Sequence, residues 1–110
     1  MVPYINRTQV YYLIVFDAGD TIRLDCPAVG NPAPSIEWSS YKLNSSVYDV
    51  INSTRLRSFV NGSLEISDLT ADDEGLYSCT AANSVGSDHV HVLIVNLAAY
   101  RKRESSFHSN

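Results

Sequence analysis

His89 and His91 stand two residues apart, and a strand would project both imidazoles from one face as half of a metal site. No third ligand accompanies them, so the expected reading is two exposed strand histidines without metal. Asp72, Asp73 and Glu74 are adjacent carboxylates, but they lack the spacing of a calcium loop and read as a solvated turn. Cys26 and Cys79 are the only cysteines, and two thiols alone do not make a structural zinc site. No Gly-rich phosphate loop, nucleophile elbow or two-His zinc helix occurs. A non-catalytic chain without a cofactor is therefore expected. One modification does have its complete motif: Asn6, Asn44, Asn52 and Asn61 each head an Asn-x-Ser/Thr sequon. Sequons matter only in a secreted protein.

The elements that carry these residues must fit 110 residues, enough for one domain with a modest two-layer core. Hydrophobic residues make up 45% of the chain and charged residues 18%, a globular balance rather than a disordered one. The net charge of −4 argues against nucleic acid, which requires a clustered basic face. Only Arg101, Lys102 and Arg103 cluster, near the C-terminus. The longest apolar runs, residues 11–16 and 92–95, are far below the roughly 20 residues of a membrane helix, so no membrane contact by this domain is expected. The opening residues also lack the basic start and apolar stretch of a secretory signal, and Met1 reads as the start of a piece cut from a longer precursor.

Alternating apolar stretches and turn chemistry succeed each other about every ten residues, the signature of an all-β sandwich or barrel. Residues 21–26 alternate strictly, placing Ile22, Leu24 and Cys26 on a buried face with Arg23 and Asp25 in water. Proline in Gly30-Asn31-Pro32-Ala33-Pro34 interrupts pairing, and Ile36 and Trp38 resume it. Asn61-Gly62 is a strong turn signal, followed by a strand over 63–67 with Leu64 and Ile66 inward. Further strands are expected over 76–82 and 88–96, an early edge strand over 9–16, and two short strands within 41–60. Leu69 should plug the base of the core. The domain is placed at residues 1–96, with 97–110 a mobile tail or linker.

With those elements placed, the chain resembles the I-set of the immunoglobulin superfamily over roughly residues 3–96. The resemblance rests on Gly30-Asn31-Pro32-Ala33-Pro34-Ser35-Ile36-Glu37-Trp38, on Asn61-Gly62-Ser63-Leu64-Glu65-Ile66, and on the run from Ala71 through Asp73, Tyr77 and Cys79 to Gly86. It implies an immunoglobulin-like Greek-key β-sandwich of two antiparallel sheets, with a Cys26–Cys79 disulfide across the core and Trp38 packed on it. It also implies that Tyr77 sends its hydroxyl to backbone in the preceding turn and that Asp73 pairs with Arg55 or Arg57. Disulfide and sequons together point to an extracellular address.

If Tyr77 and Cys79 point inward, parity turns Leu76, Ser78 and Thr80 outward, and on the last strand His89, His91, Leu93 and Val95. On the early strand, Tyr11, Leu13 and Val15 are left outside. In the resembled family the early strand runs parallel to the last one, so these apolar residues should converge into a strip, which is either a candidate protein interface or a surface covered within the parent protein by Leu97 to Tyr100 or by the next domain. All four sequons are expected on other surfaces. The leading function is an extracellular recognition module of a cell-surface adhesion molecule or receptor, binding a protein non-covalently, with a different protein (heterophilic) and a second copy of itself (homophilic, as a homodimer) both left open. The alternatives are a structural spacer in a matrix or muscle scaffold and an accessory ectodomain of a receptor enzyme, each with neighbouring domains in the parent chain.

Overall fold

A computed structural model describes the backbone of residues 1–42, 48–50 and 55–108, and the side chains of residues 1–40 and 55–102. Period-two alternation builds the strands: β1 (Tyr4–Ile5), β2 (Leu13–Phe16), β3 (Ile22–Leu24), β4 (Ala28–Val29), β5 (Ser35–Lys42), β6 (Tyr48–Val50), β7 (Leu56–Ser58), β8 (Leu64–Ile66), β9 (Gly75–Ala82) and β10 (Ser87–Asn96). They form a five-stranded sheet in the order β2-β10-β9-β5-β6 and a three-stranded sheet β3-β8-β7, with β1 and β4 paired separately. Among the described residues, all ladders are antiparallel except β2 on β10, which is parallel.

The two sheets enclose Phe16, Leu24, Leu64, Ile66, Val92 and Ile94, with Leu69 buried among them. Cys26 and Cys79 are joined by a disulfide, with their Cα atoms 6.5 Å apart. Trp38 stands opposite Cys79 in the β5–β9 register and belongs to the same buried cluster. Its indole N–H donates to the Gly62 carbonyl at 2.8 Å.

Two segments depart from the sequence expectation. The early strand is shorter than 9–16, because Arg7–Gln9 winds into one 3-10 turn. The Asn6 side-chain oxygen accepts from Thr8 N at 3.1 Å and from Thr8 Oγ1 at 2.6 Å, which turns the chain away from the ladder. The second departure is the segment expected as a tail, which is helical over α1 (Leu97–His108). Leucine, alanine, arginine, lysine and glutamate favour that state. Asn96 caps it, accepting from Ala99 N at 2.9 Å, while its own N–H donates to the buried Glu74 Oε1 at 3.2 Å. No helix among the described residues is long and apolar enough to cross a membrane.

Candidate protein-docking face

Because Tyr77, Cys79, Val90, Val92 and Ile94 are buried, the alternate residues of β9 and β10 form the outer face of the five-stranded sheet. Register sets them in rows. Glu37, Thr80 and His89 form the first row, and Ser39, Ser78 and His91 the second. Leu76, Leu93 and Leu13 form the third row across three strands, and Val95 and Val15 the fourth on two. The face is thus polar at one end and apolar at the end where the chain leaves β10.

Leu13 is 59% exposed and Val15 48% exposed, both on the sheet edge, whereas Leu93 and Leu76 are half-buried. Two residues expected on the exposed strip stand elsewhere. Val95 has the outward parity but is only 7% exposed, so it is covered rather than part of the exposed strip. Tyr11 is 74% exposed but precedes β2, and it lines a separate cleft of about 760 Å³ with Asn6, Asp25, Ala28 and Asn61. Strand parity does not apply to Tyr11, because the ladder on β10 begins only at Leu13.

His91 lies at the polar border of the strip. Its Nδ1 is 2.6 Å from Ser78 Oγ, which explains why Ser78 is buried despite facing outward. The His89 and His91 rings lie with centroids 5.5 Å apart. Among the described residues, no group of three or more His, Cys, Asp or Glu side chains converges as a metal site.

Sequons Asn6 and Asn61 both border the cleft rather than the strip. In each, the side-chain oxygen is engaged: Thr8 donates to Asn6, and Ser63 N donates to Asn61 at 3.1 Å. A glycan bonds to the other atom, the amide nitrogen. Asn44 and Asn52 lie outside the described residues.

Charge pairs tie the elements of the domain to one another. Between Arg55 and Arg57, Arg55 is the partner of Asp73, with two contacts of 3.0 Å, while it also donates to the Ser67 and Asp68 carbonyls at 3.1 Å. Arg57 instead lies 3.8 Å from Glu65. Tyr77 Oη donates to the Asp73 carbonyl at 2.8 Å, and burial next to the Asp73 carboxylate pushes the phenol up to about 12. A clamp unanticipated from sequence joins Arg7 to Asp88 at 2.7 and 2.9 Å. Asp88 also accepts from Ile5 N and His89 N, both at 2.9 Å, tying β1 and the 3-10 turn to β10. Hydrogen bonding to Arg7 holds its carboxyl well below the usual range. Eighty-one positions separate the pair, and no local pattern marks it.

The immunoglobulin I-set domain model matches residues 6–95. The chain is 39% identical over 95 residues to neural cell adhesion molecule L1.1 of Danio rerio, covering 83% of this chain and 8% of that protein. It is 37% identical over 73 residues to immunoglobulin superfamily member 10 of Mus musculus, covering 66% of this chain and 3% of that protein. A solved structure described as the structural basis for Dscam isoform specificity superposes with a TM-score of 0.75 at 31% identity, over 87% of this chain and 24% of that one. The chain therefore spans less than a tenth of the curated relatives it matches.

Proposed function

The chain belongs to the immunoglobulin I-set family, and from that premise we propose that it is an extracellular recognition module within a longer cell-surface adhesion protein or receptor. It binds another protein non-covalently through the outer face of the five-stranded sheet. The observation that carries this reading is the in-register apolar row Leu13, Leu93 and Leu76, continued by the exposed Val15. Scattered exposed leucines need no explanation, but a contiguous apolar patch bordered on its polar side by Ser78 and His91 is a candidate docking surface. The extracellular address is supported by the disulfide together with the sequons. It is further supported by the relative named as a neural cell adhesion molecule. The reading assigns the domain binding rather than catalysis.

The test is multivalent display of the glycosylated domain on beads, scored for adhesion to beads carrying the same domain and to cells. Leu93→Asp puts a carboxylate in the middle of the row without touching the core, and adhesion is expected to fall about tenfold or more. Unchanged adhesion by a folded Leu93→Asp protein would refute the docking face.

A spacer reading draws on a different observation: α1 follows β10 without an intervening loop, in a molecule measuring 56 × 29 × 25 Å. A helix in that position sets the distance and direction of whatever follows. Under that reading the displayed domain adheres to nothing, and Leu93→Asp has no effect.

A further inference from the structure

We infer that the partner is a second copy of this chain, joined edge to edge through β2 in antiparallel register about a twofold axis at Ile14. The inference rests on the docking-face reading and adds to it the identity of the partner and the backbone groups used.

Strand β2 is an edge strand, with β10 as its ladder neighbour on one side. Leu93 N–H donates to the Tyr12 carbonyl at 2.9 Å, and Leu93 registers with Leu13. Peptide groups of successive strand residues point to opposite edges, so Tyr12, Ile14 and Phe16 bond towards β10. The N–H and C=O groups of Leu13 and Val15 therefore point away from the sheet. Unprotected edges of this kind are templates for another strand, and proteins usually blunt them with lysine, proline or a bulge. Residues 10–16 contain neither charge nor proline.

A second copy of β2 complements this edge. With the axis at Ile14, Leu13 falls opposite Val15 of the other copy and Val15 opposite its Leu13, so four backbone hydrogen bonds close symmetrically. The same register brings the exposed Leu13 and Val15 side chains of both copies together on the outer face, merging the two apolar rows. The paired residues Leu13–Phe16 are all uncharged, so no like charges meet along the strands. An isologous contact of this kind closes on itself and does not propagate into fibres. Because the strands cross antiparallel, the two α1 helices leave in opposite directions, the geometry of contact between molecules on facing surfaces.

The paired edges are short, which places the dimer in the weak, small-interface class that gains strength by multivalent display. The test is sedimentation equilibrium of the whole chain up to about 1 mM, combined with amide hydrogen exchange by NMR. Reversible dimerisation is expected, with Leu13 and Val15 amides slowing as concentration rises while Ile14 stays constant. Val15→Pro removes one outward donor where an edge strand tolerates proline, and dimerisation should weaken about tenfold or more. If that variant unfolds, Leu13→Lys gives the edge the charge natural edges carry, and the same loss is expected in a folded chain.

A chain that remains monomeric at the highest concentration overturns the inference, as does a dimer whose Leu13 and Val15 amides exchange at the monomer rate. If such a chain still adheres to cells in a manner sensitive to Leu93→Asp, the docking face stands and only self-pairing falls. If adhesion ignores Leu93→Asp, both fall.

Discussion

Trp38 and Gly62 are joined by a buried hydrogen bond of 2.8 Å from the indole nitrogen to the glycine carbonyl, which anchors the turn between β7 and β8 to the centre of the core. Gly62 has φ +93°, and a Cβ there would lie 3.0 Å from Ile36 Cγ1 and 3.1 Å from the Cys26 carbonyl. Gly62→Ala therefore combines a left-handed backbone with overpacking, and a loss of about 2–3 kcal/mol is expected in chemical denaturation. Trp38→Phe keeps an aromatic ring but strands the carbonyl, at about 1–3 kcal/mol. Equal stability of Gly62→Ala and wild type would contradict this account.

Arg55 and Arg57 offer a direct comparison. Arg55 bonds to the buried Asp73 carboxylate and to two carbonyls, whereas Arg57 is a surface residue 3.8 Å from Glu65. Arg55→Ala leaves a carboxylate buried without its guanidinium, and about 3 kcal/mol of destabilisation is expected. Arg57→Ala should cost less than about 0.5 kcal/mol. Thermal or urea melts of the two variants decide it, and equal losses would be inconsistent with the assignment of Asp73 to Arg55.

Alkaline pH should unfold the domain through Tyr77. Its phenol is pushed up to about 12, above the ordinary value of about 10, so the folded state holds the proton more tightly than the unfolded state. The stabilisation is complete below about pH 10 and is lost as pH rises from there through 12. Tyr77→Phe removes this alkaline loss and also the bond to Asp73, lowering stability at neutral pH by about 1 kcal/mol. A wild-type stability curve flat between pH 10 and 12 would count against it.

Acid acts through Asp88 with the opposite sign. Its carboxyl is held well below the usual range by Arg7, so its contribution is present above about pH 4 and is lost as pH falls through the lowered value. In Arg7→Gln the Asp88 carboxyl should titrate closer to an ordinary carboxylate, and the acid unfolding limb should shallow. NMR titration of the Asp88 side chain in both proteins reads this directly, and an unmoved midpoint would remove Arg7 as the cause.

Features that depend on a residue and its near neighbours are legible in the amino-acid order. Leu24, Leu64, Ile66 and Val92 reveal their burial through alternation, since a strand sends every second side chain to one face. Proline between the Cys26 and Trp38 segments marks a break for an equally local reason. The convergence of Leu13, Leu93 and Leu76 follows once family resemblance supplies the parallel placement of the early strand, whereas their row-by-row register is set by the ladders. Local chemistry also carries the capability of α1, but the loss of β periodicity after Asn96 obscures it. The Asn96 cap depends partly on Glu74, more than twenty residues earlier.

Taken alone, the amino-acid order determined the sandwich, its inward faces and the parity that turns Leu76, His91 and Leu93 outward, because those properties repeat along a strand. Only the tertiary structure decided that Arg55 rather than Arg57 meets Asp73, that Arg7 clamps Asp88, that Val95 is covered and that Tyr11 turns into a cleft. The physical reason is the same in each case. Burial and pairing of these side chains depend on groups brought near by register and by turns that bend the chain, and period-two alternation carries no record of which distant strand will lie alongside.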